Sequence, residues 1–200
     1  MEIPVDTKAH GGIYQRRLSG PRAEGRLVSG GVLNYVVWDW SHDGCYLLYG
    51  KREPNGKVNL WYLSMDPTAK DREPRPLLAS ESNNTQARFS PDSRWVAYAS
   101  DESGKTEIYV QPFRSSSNGG RTKVTEGGGT HPRWRRDGQE IFFVGLDGKL
   151  MATEVIVKRG SIEVGPVHPW TPPPCSGRGA PRHIFDSSRP GGAVPNPSIS

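Results

Sequence analysis

Short apolar runs, rich in aromatic and β-branched residues, recur along the chain, and each is bounded by Gly, Asp, Ser or Pro. Helical spacing at i, i+3 and i+4 is sustained nowhere, and turn signals interrupt the pattern about every 8–12 residues, which predicts an all-β chain with essentially no helix. The stretch "RWVAYAS" shows the local logic. Trp95, Ala97 and Ala99 alternate with Val96, Tyr98 and Ser100, so both faces of the predicted strand carry apolar side chains. A strand of that kind belongs to a sheet packed between two neighbours.

The runs repeat. "WDWSHDGCYLLYG" from Trp38, "ARFSPDSRWVAYA" from Ala87 and "PRWRRDGQEIFFV" from Pro132 align through their first turn. Each places an aromatic residue (Trp40, Phe89, Trp134) three positions before an Asp (Asp43, Asp92, Asp137), and the Asp positions lie 49 and 45 residues apart. A second turn follows each run, carrying a Gly-Lys pair at Gly56, Gly104 and Gly148, and then another apolar stretch. "PRPLLA" and "RTKVT" close two of the units. Four short strands repeated about every 47 residues make a blade of a β-propeller. At the N-terminus "GGIYQRRLSG" falls into the same register, with Ile13, Leu60 and Ile108 spaced by 47 and 48 residues, and "EGRLVSG" takes the place of the closing strand.

The predicted fold is therefore a partial β-propeller of about three and a half four-stranded antiparallel blades. Residues 1–30 supply the last two strands of an incomplete blade, 31–80, 81–126 and 127–170 one blade each, and 171–200 a Pro/Gly-rich tail expected to be disordered. That tail has seven prolines in 30 residues and no alternating strand, too little to offset the entropy of ordering it. Propellers of 4–8 blades close their ring. Three and a half copies lead to the expectation of a fragment of a longer chain, with a dimer of half-propellers as the less economical alternative.

With the repeat in hand, "FSPDSRWVAYASDESGKTEIYV" resembles the WD-repeat-like propeller unit of the bacterial TolB type. "EIYVQPF" followed by "GGGTHPRWRRDGQEIFFVGLDGKLMATEV" is similar, more narrowly, to propellers fused behind bacterial serine/threonine protein kinase domains and some winged-helix regulators. The resemblance covers about residues 10–168. It departs at Ser41-His42-Asp43, which lacks the Pro, and at Arg135-Arg136, which replaces Ser-Pro. Neither departure is expected to remove the Asp turn. The resemblance implies a binding or scaffold role within a larger bacterial signalling protein, extracytoplasmic or periplasmic in location.

Composition and charge narrow the function further. The formal net charge is +5, yet residues 31–155 hold 16 Lys plus Arg against 16 Asp plus Glu, and the excess lies at the ends. A nucleic-acid surface needs a basic patch on the folded body, so no nucleic-acid partner is expected. No run of 18 apolar residues and no signal-peptide pattern occurs, so the chain itself is not expected to insert into a membrane. Two cysteines, Cys45 and Cys175, make no disulfide framework. Kinase motifs and the Gly-x-Ser-x-Gly elbow are missing, Gly127 to Gly129 precede a strand rather than a helix, and the five His residues lack metal-type spacing. No enzyme, cofactor or metal site is expected.

The three repeated Asp residues read as turn formers, because Asp accepts backbone N–H bonds locally and copies one blade apart do not gather round one ion. Asp39, Arg88 and Arg133 are the residues just before the aromatics. On innermost strands facing the channel they make a charged ring for a peptide segment or an anionic small ligand. The competing expectation is that they pair with one another across blades. The partner is accordingly a protein, a peptide or a small ligand at the propeller face. A second function class is the substrate-gating propeller of a prolyl-oligopeptidase-type serine peptidase whose catalytic domain is absent from this chain.

Overall fold

The computed structural model describes residues 12–16, 24–29, 34–66, 68, 73–114, 120–158 and 160–172. Most of the 1–30 segment and nearly all of the 171–200 tail, with His10, Cys175 and His183, lie outside them. Fifteen strands and no helix make up the described residues.

A two-stranded sheet comes first, β1 (Gly12–Arg16) against β2 (Glu24–Ser29). The first full sheet is β3 (Tyr35–Trp40), β4 (Tyr46–Arg52), β5 (Val58–Ser64) and β6 (Arg75–Leu78), antiparallel and in chain order. The second repeats it with β7 (Asn84–Phe89), β8 (Trp95–Ser100), β9 (Glu107–Pro112) and β10 (Thr122–Lys123). The first strands of successive sheets lie against one another, β3 on β7 and β7 on β11 (Thr130–Trp134), so they form the inner rim of a partial propeller.

The third sheet adds something the repeat does not contain. Its β12 (Glu140–Val144) pairs with the first half of β13 (Leu150–Lys158), whose second half continues into a hairpin with β14 (Ser161–Val164). The closing strand is β15 (His168–Pro169), which pairs with Met151 and Ala152 after that excursion. The hairpin reaches back over the second blade, where the Thr122 hydroxyl donates to the Ile162 carbonyl at 3.3 Å. Val155 and Ile162 join the same core as Trp95 and Val110.

Period-two alternation decides where each side chain goes. On β8, Trp95, Ala97 and Ala99 pack with Ile141 and Phe143 of the third blade, while Val96 and Tyr98 pack with Leu48 and Leu60 of the first. Ile13 of β1 covers Leu47, Tyr49 and Leu63 on the other side of the first blade. The hydrophobic core is thus a series of layers between blades. Phe113, just after β9, packs against one layer with edge-to-face contacts to Tyr46, Tyr62 and Phe89 at centroid distances of 4.9–5.1 Å, a favoured aromatic geometry.

Close packing explains a small residue in the middle of β4. A Cβ on Gly50 would sit 2.6 Å from Trp38 Nε1 and 2.9 Å from Val58 Cγ1. Gly50→Ala is expected to destabilise the chain by about 1–3 kcal/mol through overpacking. A urea midpoint equal to that of the parent would show that the Trp38 ring moves aside freely.

Candidate functional site at the inner rim

Each inner strand is interrupted by a β-bulge just before its charged residue: between Val37 and Asp39, between Thr85 and Arg88, and between Thr130 and Arg133. In the second and third blades the extra backbone includes Gln86 (φ 56°) and His131 (φ 55°). Such left-handed residues are uncommon outside glycine, and a bulge of this kind re-aims the side chains that follow it. The two bulges are tied together. The His131 N–H donates to Gln86 Oε1 at 2.8 Å, and Gln86 Nε2 lies 3.2 Å from His131 Nε2.

Asp39, Arg88 and Arg133 all come out partly buried, in one electrostatic neighbourhood. The ion pairs among the described residues lie elsewhere, and Asp39 meets neither arginine at ion-pair distance. Its Oδ2 instead accepts the Phe89 N–H at 2.8 Å, joining β3 to β7. The next pair of inner strands is joined differently, by the Trp134 indole N–H donating to the Arg88 carbonyl at 3.2 Å. The guanidiniums have only local partners. Arg88 Nη1 donates to Ala87 O at 3.4 Å, and Arg133 Nη1 donates to Pro132 O at 2.9 Å.

Burial dominates the electrostatics of the cluster. It raises the Asp39 carboxyl above its ordinary value, against the Phe89 N–H and the charges of Arg88 and Arg133. It lowers both guanidiniums, and for Arg133 the neighbouring Arg88 charge acts in the same direction. Two arginines and one aspartate give the cluster a formal net charge of +1, and arginine holds its proton throughout the neutral range.

The Asp turns have a different geometry and a different use. Asp43 Oδ1 accepts the N–H of Cys45 at 2.9 Å, Asp92 Oδ1 that of Arg94 at 3.1 Å, and Asp137 Oδ1 that of Gln139 at 3.0 Å. In the first two blades the Ser41 and Ser90 hydroxyls donate to Asp43 and Asp92 and accept the N–H of Tyr46 and Trp95. Arg135 replaces that serine in the third blade. Its Nε–H donates to both Asp137 oxygens at 2.8 and 2.9 Å, and its Nη1 donates to Glu140 at 2.6 Å. These bonds from Ser41 and Arg135 hold the Asp43 and Asp137 carboxyls below the usual carboxylate range. Asp92→Ala is expected to cost about 1 kcal/mol in urea titration and to leave any ligand affinity unchanged; altered affinity would return Asp92 to the ligand site.

The remaining candidates do not converge. No group of three His, Cys, Asp or Glu residues is placed to hold a metal ion among the described residues. His42 is exposed on the first turn, and its backbone N–H donates to Ser93 Oγ at 3.1 Å. His168 lies on the closing strand of the third blade. No helix among the described residues is long and apolar enough to cross a membrane. Gln86 and His131 were not singled out from sequence as rim residues. Their signal was positional, because the equivalent residue of the first blade is the apolar Val37.

No protein-family model matches the chain, and no curated protein matches it. Solved structures do. Putative TolB from Agrobacterium tumefaciens is 20% identical with a TM-score of 0.54, over 76% of this chain and 59% of that one. TolB from Acinetobacter baumannii is 22% identical with a TM-score of 0.57, over 78% of this chain and 37% of that one. A structure from work on two prolyl endopeptidases is 17% identical with a TM-score of 0.52, over 78% of this chain and 26% of that one. The likeness is one of fold, a TolB-like β-propeller, and the chain spans less than two thirds of each of those proteins.

Proposed function

We propose that the chain is a non-enzymatic propeller module for binding or scaffolding, part of a larger bacterial signalling protein of the kind that carries a serine/threonine kinase domain. The observation that carries this reading is the division of labour among positions. Residues that recur between blades build turns and inter-blade layers, whereas the charged inner-rim position changes sign, from Asp39 in the first blade to Arg88 and Arg133 in the next two. A protein, peptide or small ligand at the propeller face is the partner, with no cofactor. The longer protein is placed outside the cytoplasm, in keeping with the resemblance. Fold by itself does not determine function.

The similarity to a prolyl endopeptidase supports a second reading, a gating propeller whose hydrolase domain lies elsewhere in the protein. The flanking coding sequence separates the two. A kinase domain upstream supports the first, and a downstream α/β-hydrolase with Gly-x-Ser-x-Gly supports the second. The isolated chain is expected to hydrolyse no chromogenic prolyl peptide; turnover that tracks the purified protein and is blocked by a serine-directed inhibitor would overturn the non-enzymatic assignment.

A further inference from the structure

We infer that Arg88 and Arg133 form a receptor for a single carboxylate at the inner rim, an inference that rests on the binding-module reading. Three observations carry it. The first is the state of the guanidiniums. Both are partly buried, and each donates only to the carbonyl of the residue before it. Burying a cation without a partner is costly, and a ring of purely structural charges relieves that cost by pairing internally. Here no ion pair at contact distance among the described residues supplies that relief. Each fork retains most of its five donors for something else.

The second is Asp39. Its charge acts on both arginines, yet its Oδ2 is turned to the backbone N–H of Phe89 at 2.8 Å. It is occupied as a strand fastener. The formal charge of the cluster is +1, matched by a monoanion, whereas a phosphate dianion would overshoot it. A planar carboxylate also fits the bidentate geometry of a guanidinium fork.

The third is the pair of left-handed bulges. Gln86 and His131 tie the inner strands of the second and third blades through the bond from His131 N–H to Gln86 Oε1 at 2.8 Å. Left-handed backbone at non-glycine residues is held only where surrounding structure determines it. Here it fixes the backbone two residues before each arginine, and so presets the two forks. His131 is exposed and adds a polar ring at the same rim.

The carboxylate has two natural sources, a peptide C-terminus and a free organic acid. The 200-residue chain is titrated with N-acetyl-trialanine, with its C-terminal amide and with acetate, and the arginine Nε–H resonances are followed by NMR. The acid peptide is expected to shift the Arg88 and Arg133 signals, and the amide to leave them in place. Acetate matching the acid peptide assigns the site to small organic acids; acetate binding much more weakly assigns it to peptide termini. Arg88→Gln and Arg133→Gln are each expected to weaken the acid peptide about tenfold, with thermal melts reporting the fold. Arg88→Lys and Arg133→Lys, which keep the charge but not the fork, are expected to restore part of that loss. Asp39→Asn is expected to tighten binding about threefold by removing the competing charge. Equal binding of acid and amide, or parent-like affinity in the double Gln variant, overturns the carboxylate receptor and leaves a peptide-binding module standing. Binding of none of the three probes overturns the receptor, while the module reading is judged by the flanking domains.

Discussion

Phe143→Ala is expected to destabilise the chain by about 3–5 kcal/mol, the range for removing a buried aromatic from a packed core. Phe143 is 2% exposed and lies in the layer between the second and third blades with Trp95, Ala97, Ile108 and Ile141. That layer has little capacity to collapse. A Cβ on Gly129 would already sit 2.9 Å from the Phe143 ring and 3.0 Å from Ile108, so backbone and side chains meet at contact distance. Because each blade touches only its neighbours, the loss also loosens the coupling between blades. Urea denaturation followed by Trp fluorescence is expected to show an earlier and broader transition. A shift worth less than about 1 kcal/mol would mean that the third blade packs on the second far less tightly than the geometry indicates.

The second large effect is expected at Glu107, whose side chain is fully buried at the start of β9. Its Oε2 accepts the Thr125 hydroxyl and, at 2.8 Å, the Gly128 N–H. Its Oε1 faces the ammonium groups of Lys105 at 3.3 Å and Lys123 at 3.5 Å. Glu107→Ala takes this acceptor from the Thr125 hydroxyl and the Gly128 N–H, and a loss of about 3 kcal/mol is expected. Burial alone would raise the Glu107 carboxyl, but Thr125, Gly128 and the two lysines together hold it below its ordinary value. A carboxyl lowered in the folded state stabilises the fold fully above its unfolded pKa of about 4.3. That stabilisation is lost as pH falls through the lower folded value. The parent is therefore expected to lose stability on acidification below that point, and Glu107→Gln to show a shallower dependence over the same window. Parallel profiles for the two would remove Glu107 as the cause.

The same position shows what the sequence could and could not convey. The blade repeat was legible because alternation and turns act locally: "RWVAYAS" already placed Trp95 and Val96 on opposite faces, and they enter different inter-blade layers. Asp43, Asp92 and Asp137 were legible for the same reason, since each bonds a backbone N–H two residues on. Glu107 was not. Its partners come from a connection some 20 residues downstream, and Asn59 does related work one blade earlier by accepting the Ser80 N–H and an Asn84 Nδ2 hydrogen. Two different residue types serving one purpose leave no repeated letter to notice.

The rim divides along the same line. Asp39, Arg88 and Arg133 could be placed on inner strands from the register of the repeat, but the bulges that orient them depend on strand pairing across the sheet. Whether the three pair with one another is likewise a question of distance, and Asp39, bonded to the Phe89 N–H, meets neither arginine at ion-pair distance. The β13–β14 hairpin was hidden because "VIVKRGSIEV" reads as one more strand and turn, with nothing local to show that it leaves the blade.

The position of the Glu107 clamp also bears on how the polypeptide matures. The Gly128 N–H that caps Glu107 lies 21 residues toward the C-terminus, and domains emerge from the ribosome N-terminus first. Translating that stretch takes about 1–4 seconds at ordinary elongation rates, and until it is made Glu107 lacks its downstream donors. The first and second blades are thus finished by the connections that leave them, through the Ser80 N–H on Asn59 and the Gly128 N–H on Glu107, so a chain ending shortly after Pro112 would hold a second blade whose clamp is open.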